Sequence, residues 1–362
     1  MPWLFPSLHK NTTEAAARRI PICEAKAMTA WRFLESFGIE NLRPVALPDP
    51  TPGPGQAIVR VRACSLNFRD LLVAQGAYGR AVKAPLTPLS DGAGEVLAVG
   101  AGVTRVRPGD RVCGCFFQRW ISGPPTDDNA ASAMGGAIDG MLTEQVCLSE
   151  EGLVHIPDHL SYEEAATLPC AALTAWNALF VSGGVKPGDT VLTLGAGGVS
   201  IFALQFARMA GARVLATSSS DAKLERLKAL GADAPINYKT TPDWDKPARS
   251  LTGGTGVDHV VEVGGAGTLP ISIKAVRRGG HIALIGVLTG AGEMDPRPIL
   301  IKSIRVQGIY VGSREMFEAM NRAIALSGLK PVIDRVFPAA EAHSAMRYML
   351  TGAHFGKICL VL

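Results

Sequence analysis

The sequence is poor in aromatic residues, at 6%, and poor in charge, at 19%. Its charge excess is slight: 36 basic side chains stand against 32 acidic ones. That balance gives no support to a nucleic-acid-binding surface. No two cysteines stand in CxxC spacing. The seven, Cys23, Cys64, Cys113, Cys115, Cys147, Cys170 and Cys359, are odd in number and scattered. This argues against a disulfide framework and a structural zinc knuckle, and it fits a reducing, cytoplasmic setting. An unbroken membrane-spanning run is also missing. Ala165 to Val185 and Thr190 to Ala207 are uncharged over 21 and 18 residues, lengths at which a span must be considered. Pro169, Asn177 and Gly183-Gly184 interrupt the first. Gly195-Ala196-Gly197-Gly198 and Gln205 interrupt the second. Both read as buried elements of a protein with no membrane partner. Segment 1–27 lacks a long apolar run and mixes Glu14 and Glu24 with Lys10, Arg18, Arg19 and Lys26. It reads as a disordered extension or an over-called start, with a weak organelle-targeting peptide as the other reading.

What is abundant is apolar material, 47% of 362 residues, and glycine, with 40 positions against a usual share of about 7%. The length fits two domains. From Gln56 to Ala63, residues Ala57, Val59, Val61 and Ala63 alternate with Arg60 and Arg62, which predicts a half-buried strand. Further strands are expected near Gly94–Val99 and Asp110–Phe116. Ser161-Tyr162-Glu163-Glu164 reads as a capping box. Beyond it, strand and helix signals alternate. Strands are expected at 190–194, 213–217, 257–263 and 281–287, and helices at 199–210, 221–230 and 269–276. Such alternation implies a parallel sheet with right-handed crossovers. Two more strands are expected, from Ile299 to Val311 and from Lys357 to Leu362.

Gly195-Ala196-Gly197-Gly198-Val199-Ser200 follows an apolar strand and opens an apolar helix. Gly195 suits the tight turn. Gly197 lets backbone approach a pyrophosphate at the helix N-terminus, and Ser200 is small enough for close packing. The next strand ends Thr217-Ser218-Ser219-Ser220, with no acid before Asp221. A carboxylate there would bind the ribose hydroxyls of NAD(H) and repel a 2′-phosphate. Ser218, Ser219 and nearby Lys223 instead favour NADPH, with NADH as the alternative cofactor.

Several motifs in order carry a family resemblance. They are Ala63-Cys64-Ser65-Leu66-Asn67-Phe68-Arg69-Asp70, Asp91-Gly92-Ala93-Gly94-Glu95-Val96, Gly109-Asp110-Arg111-Val112, Ala165-Ala166-Thr167-Leu168-Pro169-Cys170, the glycine loop, Glu262-Val263-Gly264-Gly265 and Phe355-Gly356-Lys357. Residues 28–362 resemble the medium-chain dehydrogenase/reductase superfamily, on its quinone oxidoreductase and zinc-type alcohol dehydrogenase-like side. The resemblance implies an α/β fold in which a Rossmann doubly wound parallel sheet (172–310) is inserted into a GroES-like β-rich catalytic domain (28–171 and 311–362). It implies a homodimer joined near Ile299–Val311. It places Asn67 and Tyr78 near nicotinamide and substrate, with Tyr78 as candidate proton donor, and Thr174 against the nicotinamide. Val199 belongs to the phosphate loop with Gly195, Gly197 and Gly198. Lys223 and Tyr238 would hold the 2′-phosphate, and Lys357 would lie near the pyrophosphate. Gly264, Gly265, Gly286 and Val287 would offer backbone to the nicotinamide half. Phe116, Phe117 and Trp120 are candidates for the substrate mouth.

In zinc-dependent relatives a Cys aligns with Asn67 and a His with Ser90; only Cys170 matches a remaining ligand. Asn and Ser are poor zinc donors, so no metal is expected. Without a metal to stabilise an alkoxide, alcohol oxidation needs a general base, whereas reduction of a quinone, an enone or a related carbonyl makes lighter demands. A zinc-independent reductase of such a small-molecule carbonyl is the leading expectation. An NAD(P)-dependent alcohol dehydrogenase and a cofactor-binding protein with little turnover are the alternatives.

Overall fold

The computed structural model describes residues 27–79, 82–286 and 288–362. Val287 and nearly all of segment 1–27 lie outside the described residues. Six parallel strands form one sheet in the spatial order Ala234–Asn237, Arg213–Ser218, Thr190–Leu194, Val257–Glu262, Val276–Leu284 and Arg305–Gly308. Numbered by sequence, that order is 3-2-1-4-5-6, the doubly wound dinucleotide-binding arrangement. Its central strand Thr190–Leu194 is buried at every residue, as a strand covered by helices on both faces must be.

A second, mostly antiparallel sheet is built around Gln56–Ser65. In this strand Ala57, Val59, Val61 and Ala63 face the core while Arg60 and Arg62 reach solvent, as the alternation predicts. It pairs with Asp91–Val99 on one side and with Lys357–Val361 on the other, and with Gln145–Ser149 at its start. The chain thus leaves this sheet, builds the parallel one, and returns to complete the first. The capping box forms as predicted: the Ser161 amide donates to Glu164 at 2.8 Å and the Glu164 amide to Ser161 Oγ at 3.2 Å.

Residues 168–183 run as one helix whose turns widen at Leu168–Ala172 and Asn177–Gly183. Wide turns of this kind recur at functional sites, and this helix carries Cys170, Thr174 and Asn177. It joins the two units: Leu173 belongs to a continuous apolar core that also holds Phe116 and Phe117 on one side and Phe202 and Phe206 on the other. No helix among the described residues is long and apolar enough to cross a membrane.

The expected strand Ile299–Val311 is wrong in its first half. Arg297–Lys302 is a helix, introduced by Pro296 and Pro298 and stopped by Ser303 in the left-handed region. Proline suits a first helical turn, and that signal overrides the β-branched run. Only Arg305–Gly308 extends the sheet. Leu300 and Ile301 are 80% and 64% exposed beside it.

Candidate active site

The short helix Phe68–Ala74 is capped by Asn67, whose amide donates to Asp70 Oδ2 at 2.8 Å. Asn67 is 8% exposed and Lys357 only 2%. Lys357 Nζ donates to Asn67 Oδ1 and to the Leu66 carbonyl, both at 2.6 Å. With Oδ1 taken, Asn67 must present Nδ2 elsewhere. Nδ2 is buried and turned towards Asp91, whose ionised form it favours.

Two carboxylates lie beneath this pair. Asp91 accepts from Ser90 Oγ at 2.8 Å and from the Cys170 amide at 3.2 Å. Burial raises its pKa and the Lys357 charge opposes that rise. Asp70 is pushed up to about 6 by burial, against the pull of Arg69 at 3.2 Å. The Cys170 thiol is also pushed up, by burial and by Asp91. Donor chemistry therefore does not fit zinc. Asn67 Oδ1 holds an ammonium, Ser90 Oγ donates its proton to Asp91, and Cys170 resists becoming a thiolate. Among the described residues, no three His, Cys, Asp or Glu side chains are placed to hold a metal.

Tyr78 lies above, with the Arg69 guanidinium 4.5 Å from its ring centre. Its hydroxyl is 3.0 Å from that of Tyr310. The sequence reading missed Tyr310, since it falls at the end of a run read as one strand. Tyr310 packs edge-on against Phe117 at 4.8 Å and Phe116 at 5.9 Å. Next to it, Val311 has φ 56°, a conformation that costs a β-branched residue about 1–3 kcal/mol and clusters at functional sites. Asn177 Nδ2 holds the Val311 carbonyl at 2.8 Å. Trp120 is buried beside Phe117 rather than open to the cleft.

The dinucleotide side follows the glycine loop. Gly195 turns with φ 76°, and a Cβ at Gly195 or Gly197 would meet nothing within 4 Å. An open cradle at the start of helix Gly198–Met209 is what a pyrophosphate needs. Gly198 serves another contact: its Cβ would stand 2.6 Å from Lys357 Cδ. Val199 lies in the first turn and Thr174 is 3% exposed in the joining helix. Lys357 does not stand free over the cradle. Its stem crosses Gly198 and its ammonium enters the catalytic cleft.

On the adenosine side, Ser218 is 2% exposed and its Oγ takes the Ser220 amide at 3.4 Å, which leaves Ser219 the more accessible hydroxyl. Tyr238 is exposed, its amide bound to the Ser218 carbonyl. Lys223 differs from expectation. Its Nζ donates to the carbonyls of Gly352 and His354 at 2.7 and 2.9 Å, and burial lowers its pKa. It clips the 352–354 loop to its helix. Gly264 and Gly265 differ too. Their amides donate to the buried Glu262 carboxylate at 2.8 and 3.1 Å, so the nest they form is filled from within. Gly286 has a packing reason: its Cβ would fall 1.5 Å from the Val263 carbonyl oxygen.

Gly197→Val has room and an ordinary φ of −80°. It should fold with wild-type stability yet bind a nicotinamide dinucleotide tenfold or more weakly, about 1.4 kcal/mol, in a fluorescence titration. Unchanged affinity would overturn the cradle. Comparison with known proteins agrees with this geometry. The family described as alcohol dehydrogenase GroES-like domain matches residues 53–158, and that described as zinc-binding dehydrogenase matches 198–325. A zinc-type alcohol dehydrogenase-like protein of Schizosaccharomyces pombe is 45% identical over 90% of this chain and 96% of its own. A quinone oxidoreductase of Rattus norvegicus is 29% identical over 93% and 98%. Among solved structures, an NAD-dependent alcohol dehydrogenase superposes with a TM-score of 0.84 at 36% identity, covering 92% of this chain and 100% of its own. A crotonyl-CoA carboxylase/reductase in complex with NADP gives 0.82 at 26%, covering 93% and 95%. The chain is an NAD(P)-dependent oxidoreductase and belongs to the medium-chain dehydrogenase/reductase superfamily.

Proposed function

We propose that the protein reduces an electrophilic carbonyl compound, a quinone or an enone, with NADPH and without zinc. The observation that carries this reading is the Lys357–Asn67 contact, which puts an ammonium among the residues that align with zinc ligands. A lysine charge there balances Asp91 without offering a Lewis acid to an alcohol. When bound, the reduced nicotinamide supplies a hydride. The chain's own residues orient the acceptor. The Tyr78 hydroxyl, with the Asn67 amide at the edge of the cleft, is the donor for a carbonyl oxygen that gains charge.

NADPH is favoured because the strand Arg213–Ser218 ends in hydroxyls and the first acid, Asp221, is held by Asn237 Nδ2 at 2.6 Å. The names of solved neighbours include both an NAD-dependent enzyme and an NADP complex, and the hydroxyls support the NADPH reading. The same reading takes a cytoplasmic homodimer. Arg305–Gly308 is an edge strand flanked by exposed Leu300 and Ile301, a surface that pairing would cover. Six free thiols among the described residues fit a reducing setting.

A substrate panel tests the activity. NADPH oxidation should be seen with enones or quinones and should survive dialysis against a chelator. Chelator-sensitive alcohol oxidation without enone or quinone turnover would sink the proposal and favour the alcohol dehydrogenase reading. Dinucleotide binding without any turnover would favour a cofactor-binding role. For cofactor choice, Ser219→Asp should shift the NADPH/NADH ratio of kcat/KM towards NADH by tenfold or more, about 1.4 kcal/mol. An unchanged ratio would show that this strand end does not meet the 2′-phosphate.

A further inference from the structure

We propose that Tyr310 is a positioning residue for Tyr78 and the route by which Tyr78 recovers its proton after each turnover. The inference rests on the carbonyl-reductase reading above and extends it to a residue that no sequence motif singles out. Three observations carry it.

The first is the contact itself. The two hydroxyls are 3.0 Å apart although 232 residues separate them in sequence. Tyr78 belongs to the loop after helix Phe68–Ala74, and Tyr310 to the segment leaving the last parallel strand. The pair therefore closes the cleft from both sides. Tyr310 is held there from both neighbours. The Ile309 amide donates to the Leu284 carbonyl at 2.9 Å, and Val311 keeps its left-handed conformation under the Asn177 side chain.

The second is asymmetry. The charged and titratable groups facing the pair are Arg69 and Cys170. Arg69 is buried, lies over the Tyr78 ring, and spends Nη1 on Asp70, Met134 and Gly135. Tyr310 instead packs edge-on against Phe116 and Phe117. Burial and Tyr78 push its phenol up, against the opposing pull of Arg69. Tyr78 therefore stands on the guanidinium side of the pair and Tyr310 on the aromatic side.

The third is access. Tyr310 is 47% exposed while Tyr78 is half-buried, so Tyr310 is the more exposed member of the pair.

The step balances as follows. Hydride adds to the electrophilic carbon of the acceptor, and the carbonyl π electrons move towards oxygen. The Tyr78 O–H bond breaks, its proton forms an O–H bond on that oxygen, and its electron pair remains on the phenolate. Tyr310 donates a hydrogen bond to this phenolate. It passes its proton to Tyr78 as it takes one from water, and the hydroxide so formed is neutralised in bulk solvent. The acceptor gains a hydride and a proton, and solvent replaces the proton.

The test compares Tyr310→Phe, Tyr78→Phe and the double variant, using NADPH and whichever enone or quinone the wild-type protein reduces. Tyr310→Phe should keep NADPH affinity and KM within about twofold and lower kcat roughly ten- to a hundredfold, within the usual range for a proton-transfer group. Its solvent deuterium isotope effect on kcat should rise above that of wild type. The double variant should be no slower than Tyr78→Phe, because the two hydroxyls act as one unit. A solely structural Tyr310 would raise KM and leave the isotope effect unchanged, and that result overturns the proposal. So does wild-type kcat in Tyr310→Phe. A readout independent of turnover is the 19F resonance of 3-fluorotyrosine at position 310, which should move on Tyr78→Phe; a fixed resonance overturns the pair. Should the wild-type protein reduce no enone or quinone, the functional reading fails and the proton route with it. Turnover that survives Tyr310→Phe undiminished sinks the proton route alone.

Discussion

One buried ammonium organises the cleft. Lys357 lies at 2% exposure between two sheets, and its three donors must find acceptors or the charge could not be kept there. It finds the Leu66 carbonyl and Asn67 Oδ1. That choice fixes which end of the Asn67 amide turns towards Asp91. It also sets a positive charge beside Asp70 and Asp91, two buried carboxylates that would otherwise be driven to take up protons. Helix Phe68–Ala74, capped by Asn67, carries Arg69, and Arg69 lies over the Tyr78 ring. The same lysine stem passes over Gly198, so catalytic cleft and dinucleotide cradle share one side chain.

Buried acids need a cation. A divalent metal meets that need and activates a bound oxygen; an ammonium meets it and fixes an amide. In this chain the ammonium of Lys357 meets that need and holds Asn67 Oδ1.

Much of this was legible in the sequence where the signal was local. The alternation over Gln56–Ser65, the capping box at Ser161 and the strand–glycine–helix unit around Gly197 each depend on neighbours within a few residues. What was not legible depends on distance or competition. No local pattern joins Lys357 to Asn67, 290 positions away. The apolar run before Tyr310 has strand composition, but two prolines start a helix and a left-handed Ser303 ends it. The Glu262-Val263-Gly264-Gly265 motif offers free amides only if its own glutamate points away, and burial turns that glutamate inward. Lys223 is basic in the expected place, yet two carbonyls of a distant loop take its charge.

The pairing of Gly356 with the glycine loop, in which its amide meets the Ala196 carbonyl at 2.9 Å, bears on the order of assembly. Residues 356 and 357 leave the ribosome after every strand of the parallel sheet. That sheet can form while they are still unmade, but the cleft cannot. A chain halted just short of them would carry the dinucleotide sheet with Asp70 and Asp91 still lacking the lysine charge. Completion of the active site therefore follows the parallel sheet in the order of synthesis.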